Sequence, residues 1–123
     1  VVIFDLLALA AEEGSASSLA LSALLASIFD NPSIAKLGFG LRSDLQRLAA
    51  TYPHVQGFCR IQSALDVQEA WSHVEGARDF VGLSSLCMQQ LGAPLSKRLQ
   101  TSDWGARPLS REQVLYAALD AHC

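Results

Sequence analysis

The chain has 123 residues, of which 50% are hydrophobic and 17% charged, and a formal net charge of −3. That length is one domain or a piece of one, and the apolar fraction is ample for a packed core, which excludes a disordered polymer. The acidic balance excludes a protein held on nucleic acid by bulk basicity alone, and no run of about 18 apolar residues is present to span a membrane.

The opening "VVIFDLL" (residues 1–7) is a short β-branched and aromatic run that predicts a buried strand. It stands first, without a methionine or a basic leader, and reads as the middle of a longer protein. "AEEGSASS" is turn-like. It leads into "LALSALLASIFD", where Leu21, Leu24, Leu25 and Ile28 follow helix-face spacing until the proline of "DNPS" stops the run. "IAKLGFG" predicts a second strand that leaves through glycines. In "SDLQRLAATYP", Ser43 and Gln46 have the spacing of a capping box, so a helix is expected from there to Tyr52, ahead of Pro53.

"RIQSALDVQ" predicts a third strand, and "SHVEGARDFVG" (residues 72–82) an irregular connection. "GLSSLCMQQLG" is amphipathic through Leu83, Leu86, Cys87 and Leu91, and Gly92 with Pro94 ends it. The final "SREQVLYAALDAHC" opens on a second box, Ser110 and Gln113. Strands alternating with helices indicate an α/β layer fold with parallel strand pairing.

Cys59, Cys87 and Cys123 are odd in number and widely spaced, which suits small apolar thiols in a reducing, intracellular (cytoplasmic or nuclear) setting. His54, His73 and His122 have no zinc spacing and read as packing or surface residues. Lys36 reads as a snorkelling surface lysine, and Asp66 as a structural acid. Lys97, Arg98, Arg107 and Arg111 make the stretch before the last helix locally basic. Such a run is a solvated face unless a phosphate-binding site lies beside it.

Tyr116 and Asp120 are four residues apart, hence on one helix face. Asp44 falls in the first turn of a helix that follows a strand, where an acid is favoured by the helix dipole and can face a crevice at the sheet's end.

Together, "IAKLGFGLRSDLQRL" and "GLSSLCMQQLGAPLSKRLQTSDWGARPLSREQVLYAALDA" resemble the 3′–5′ exonuclease domain of the ribonuclease D and Werner type, DEDDy branch, and most nearly the Nibbler-like animal exonucleases. The likeness runs over nearly the whole chain, and the composite S-D-W…R-P-L-S…Q…Y-A-A-x-D-A is its most specific part. It implies a ribonuclease H-like (DnaQ-like exonuclease) α/β fold and hydrolysis of phosphodiester bonds at the 3′ end of single-stranded RNA or DNA, with RNA favoured and no membrane partner.

In that family four acids hold two divalent ions, Mg²⁺ or Mn²⁺, an arrangement that stabilises both the attacking and the departing oxygen. The second-motif acid corresponds to Asp44, the third-motif acid to Asp120, and the water-holding tyrosine to Tyr116. Arg107 and Arg111 either contact the substrate backbone or anchor the R-P-L turn. Trp104 and Pro108 are expected to pack the last helix.

The first-motif Asp-x-Glu occurs nowhere in the chain; Asp5 is followed two places on by Leu7. The expectation is an incomplete domain over residues 1–123, with its first strands missing, that is inactive alone. The rival expectation is a catalytically dead module of the same fold that binds nucleic acid or a protein.

Overall fold

The computed structural model describes residues 1–76 and 81–122. In chain order it contains α1 (Leu6–Leu9), α2 (Ala16–Phe29), β1 (Lys36–Gly38), α3 (Leu41–Thr51), a 3-10 turn (Gln56–Phe58), β2 (Ala64–Asp66), α4 (Val67–Glu75), α5 (Leu83–Leu91) and α6 (Arg111–His122). The chain divides into two compact units, one of Asp5–Phe80 and one of Val1–Phe4 with Val81–Cys123. No helix among the described residues is long and apolar enough to cross a membrane.

In the first unit β1 and β2 pair in parallel, with Lys36 opposite Ala64, Leu37 opposite Leu65 and Gly38 opposite Asp66. A parallel pair requires a crossover, and α3 supplies it. The core gathers around α2 and the 3-10 turn: Leu21 and Leu25 bury against Val55 and Phe58, with Ala10 beside them. Gly57 allows this approach, because a Cβ there would lie 2.4 Å from the Leu25 Cβ. Leu24, expected on the same face, is instead 45% exposed. His54 has a packing role, as expected: Nε2 lies 3.1 Å from the Ala10 carbonyl and the ring meets Tyr52 edge-on.

Several expectations are corrected. Residues 1–5 form no strand: Asp5 caps α1, accepting from the Ala8 amide at 3.4 Å, and Val1 and Val2 remain exposed. A strand exists only through its partner, and among the described residues none lies alongside this run. The helix expected to start at Ser43 starts at Leu41, because Gly40 takes a left-handed conformation (φ 67°) and acts as its N-cap. It ends at Thr51, before Pro53, as expected.

The third strand is only Ala64–Asp66. Asp66 then caps α4, which runs into the stretch expected to be irregular as far as Glu75; residues 77–80 of that stretch lie outside the described residues. Lys36 is buried, its Nζ donating to the Asn31 carbonyl at 2.7 Å, and does not snorkel.

In the second unit α5 buries Leu86 and Cys87 and closes at Gly92 (φ 75°). Cys59 and Cys87 are free thiols, the former exposed; Cys123 lies outside the described residues.

Candidate active site

The last helix is built from its first turn. Ser110 and Gln113 form a reciprocal capping box: the Gln113 amide donates to Ser110 Oγ at 3.2 Å and the Ser110 amide to Gln113 Oε1 at 2.9 Å. Gln113 Nε2 then reaches outside the helix, donating to Ser102 Oγ and to the Asp103 carbonyl, both at 2.9 Å. Next to these contacts, Trp104 donates from Nε1 to the Leu99 carbonyl at 3.1 Å and lays its ring against Tyr116, with centroids 5.8 Å apart and planes tilted by 51°. That separation is within the favourable range for an aromatic pair. Trp104 therefore packs α6, as expected.

Tyr116 is half-buried through this ring contact, and its hydroxyl has no partner among the described residues. Asp120 follows one turn later on the same face. Its side chain is exposed, and the slight burial it has raises its carboxyl above the ordinary aspartate range, since withdrawing water penalises the charged form.

The two arginines differ. Arg107 Nη1 donates to the Trp104 and Ala106 carbonyls at 2.9 and 2.7 Å, so its guanidinium holds the turn before α6. Arg111, the first residue of α6, is exposed and makes no ion pair or hydrogen bond among the described residues. Arg98 is engaged in an exposed ion pair with Glu112 (2.7 Å).

Asp44 belongs to the other unit. It lies in the first turn of α3, exposed, and its carboxylate is without a hydrogen bond or ion pair among the described residues. Its position depends on Asp66, whose Oδ1 accepts from the Gly40 amide at 3.1 Å and from the Gln68 amide at 3.0 Å. One carboxylate oxygen thus caps α4 and pins the left-handed glycine from which α3 departs. Asp66→Ala leaves both amides unpaired, and a loss of about 1–3 kcal/mol in chemical denaturation is expected. Asp66→Asn keeps the acceptor and is expected to retain most of that stability.

A cavity of about 510 Å³ adjoins α3 and β2, lined among others by Leu41, Leu45, Phe58, Ile61 and Asp66; Asp44 is not part of its lining.

α6 brings Tyr116 and Asp120 together, while Asp44 is carried by α3 in the other unit. Among the described residues, no three His, Cys, Asp or Glu side chains gather in a way that would hold a metal ion.

An α/β framework with a tyrosine and an acid presented from a clamped terminal helix is the class of domain that the sequence signature announced. The chain belongs to the 3′-5′ exonuclease family, whose model matches residues 1–123. It is 38% identical to a human exonuclease mut-7 homolog over 100% of this chain and 15% of that protein. It is 35% identical to a ribonuclease D of Gluconacetobacter diazotrophicus, over 76% of this chain and 22% of that protein. The crystal structure of the Aedes aegypti Nibbler EXO domain superposes with a TM-score of 0.75 at 31% identity, covering 86% of this chain and 55% of that one. The fold is accordingly the ribonuclease H-like exonuclease fold, represented in part, and the chain spans only a small share of the curated relatives it matches.

Proposed function

We propose that this chain supplies the second- and third-motif portion of a metal-dependent exonuclease that removes nucleotides from the 3′ end of single-stranded nucleic acid, RNA in preference to DNA. One observation carries the reading. α6 presents a tyrosine hydroxyl without a partner among the described residues one turn from an exposed carboxylate, on a helix whose first turn is clamped by Gln113. The ribonuclease D relatives support the preference for RNA.

The donors fit the expected ions in type: Asp44 and Asp120 are hard oxygen ligands suited to Mg²⁺ or Mn²⁺. The set is short by the Asp-x-Glu pair, which these 123 residues do not contain. The exposed cross-strand pair Leu37 and Leu65 agrees with a further layer covering this sheet face in the complete domain, because parallel sheets are ordinarily covered on both faces. Divalent ions, when bound, lower the pKa of attacking water and offset charge on the departing oxygen.

The chain's own residues do the rest. Tyr116 orients the attacking water by hydrogen bonding without adding charge. Asp120, whose ionised form is penalised by lost hydration, becomes favourable as a carboxylate beside a cation. Of the two arginines beside α6, Arg111 is the one whose guanidinium is open to a backbone phosphate, while Arg107 is occupied in holding its turn.

The test uses the protein that carries this chain with its complete domain, and a 5′-labelled RNA with a single-stranded 3′ tail. Stepwise shortening in Mn²⁺ or Mg²⁺, stopped by chelator and slower on DNA of the same sequence, is the expected result. Binding of the oligonucleotide without shortening in either metal identifies a catalytically silent module instead.

A further inference from the structure

α6 buries a glutamine and leaves leucines in water. Gln113 is 6% exposed, whereas Leu115 and Leu119 are each 53% exposed. A polar side chain takes the most buried place on a helix only when its hydrogen bonds are met, and those of Gln113 are: Oε1 accepts from Ser110, and Nε2 donates to Ser102 and to Asp103. These bonds attach the segment carrying Trp104 to the turn that precedes Tyr116. Trp104 is held a second time through its own Nε1 on Leu99, and a third time by Arg107, which donates to the Trp104 carbonyl. The indole so fixed is the surface against which the Tyr116 ring rests.

From this geometry we infer that Gln113 and Trp104 are positioning residues for Tyr116: they set where its hydroxyl points, and neither touches the reacting atoms. The inference rests on the reading of Tyr116 as the residue that orients the attacking water. A displacement of about 1 Å in such a group is enough to cost roughly a hundredfold in rate, so a loosened ring is expected to show in turnover before binding.

The experiment is a double-mutant cycle on the protein with its complete domain, following Mn²⁺-dependent trimming of the 3′-tailed RNA. Gln113→Ala and Trp104→Ala are each expected to lower kcat about tenfold or more with KM within about twofold. Trp104→Phe, which keeps a ring against Tyr116, is expected to recover most of kcat. In a Tyr116→Phe background there is no hydroxyl left to aim, so Gln113→Ala and Trp104→Ala should cost less than about twofold further, a clear departure from additivity.

Equal losses in the parent and Tyr116→Phe backgrounds overturn the inference, since both residues would then act through the fold alone. Trimming by Tyr116→Phe at the parent rate overturns the water-orienting role itself, and this inference with it. If circular dichroism shows that an alanine variant is unfolded at the assay temperature, Gln113→Met and Trp104→Leu, which retain apolar volume, complete the same cycle: non-additive losses support the inference and equal losses overturn it.

Discussion

Asp120→Asn, made in the protein with its complete domain, is expected to abolish Mn²⁺-dependent trimming of a 3′-tailed oligonucleotide. The amide keeps the size of the side chain and removes the negative charge that a divalent ion requires. Metal-ion catalysis contributes several kcal/mol to transition-state stabilisation, so a fall of about 10³-fold is the expected scale. Stability should move the other way. The Asp120 carboxyl lies above the ordinary aspartate range because burial desolvates it. A carboxyl whose pKa is higher in the folded than in the unfolded state destabilises the fold once ionised. The penalty is absent below the unfolded value of about 4 and grows as pH rises through the folded pKa. Without metal, the Asn variant is therefore expected to have a Tm at pH 7 no lower than the parent's, with any advantage disappearing toward pH 3. A variant that loses activity and also melts well below the parent at pH 7 would assign Asp120 to the fold and not to the metal.

Tyr116→Phe is the second large effect. It removes one hydroxyl that has no protein partner among the described residues and keeps the ring that rests on Trp104. Little change in stability is expected, while trimming slows by about 10- to 100-fold through the lost orientation of water. Metal affinity, followed by titration of Mn²⁺, should stay within about twofold, because a neutral phenol contributes no ligand charge. Loss of metal binding equal to that of Asp120→Asn would contradict the separate roles given to the two residues.

What the sequence disclosed depended on how far apart the interacting residues lie. The Ser110–Gln113 box, the stop at Gly92, the end of α3 before Pro53 and the shared face of Tyr116 and Asp120 are all settled within a turn or two of chain, and all are present. The start of α3 is not legible locally because it depends on Gly40, whose amide is held by Asp66 from a distant part of the chain. α4 starts where Asp66 and Glu69 have the D-x-x-E spacing of a helix start, a local signal inside the weakly patterned run that predicts a longer strand. The opening run failed as a strand for want of a partner alongside it. On α6 the i and i+4 rule put Tyr116 and Asp120 on one face, but no periodicity could show that Gln113 reaches back to Ser102 and Asp103.

Leu37 and Leu65, opposite each other and both more than half in water, have a practical consequence. Apolar rows on a short parallel ribbon invite self-association when nothing lies over them. A silent assay on residues 1–123 by themselves thus has two explanations, chemical incompetence and loss of material to oligomers. Light scattering on the same sample separates them, and only a monodisperse sample that fails to shorten RNA speaks to the chemistry.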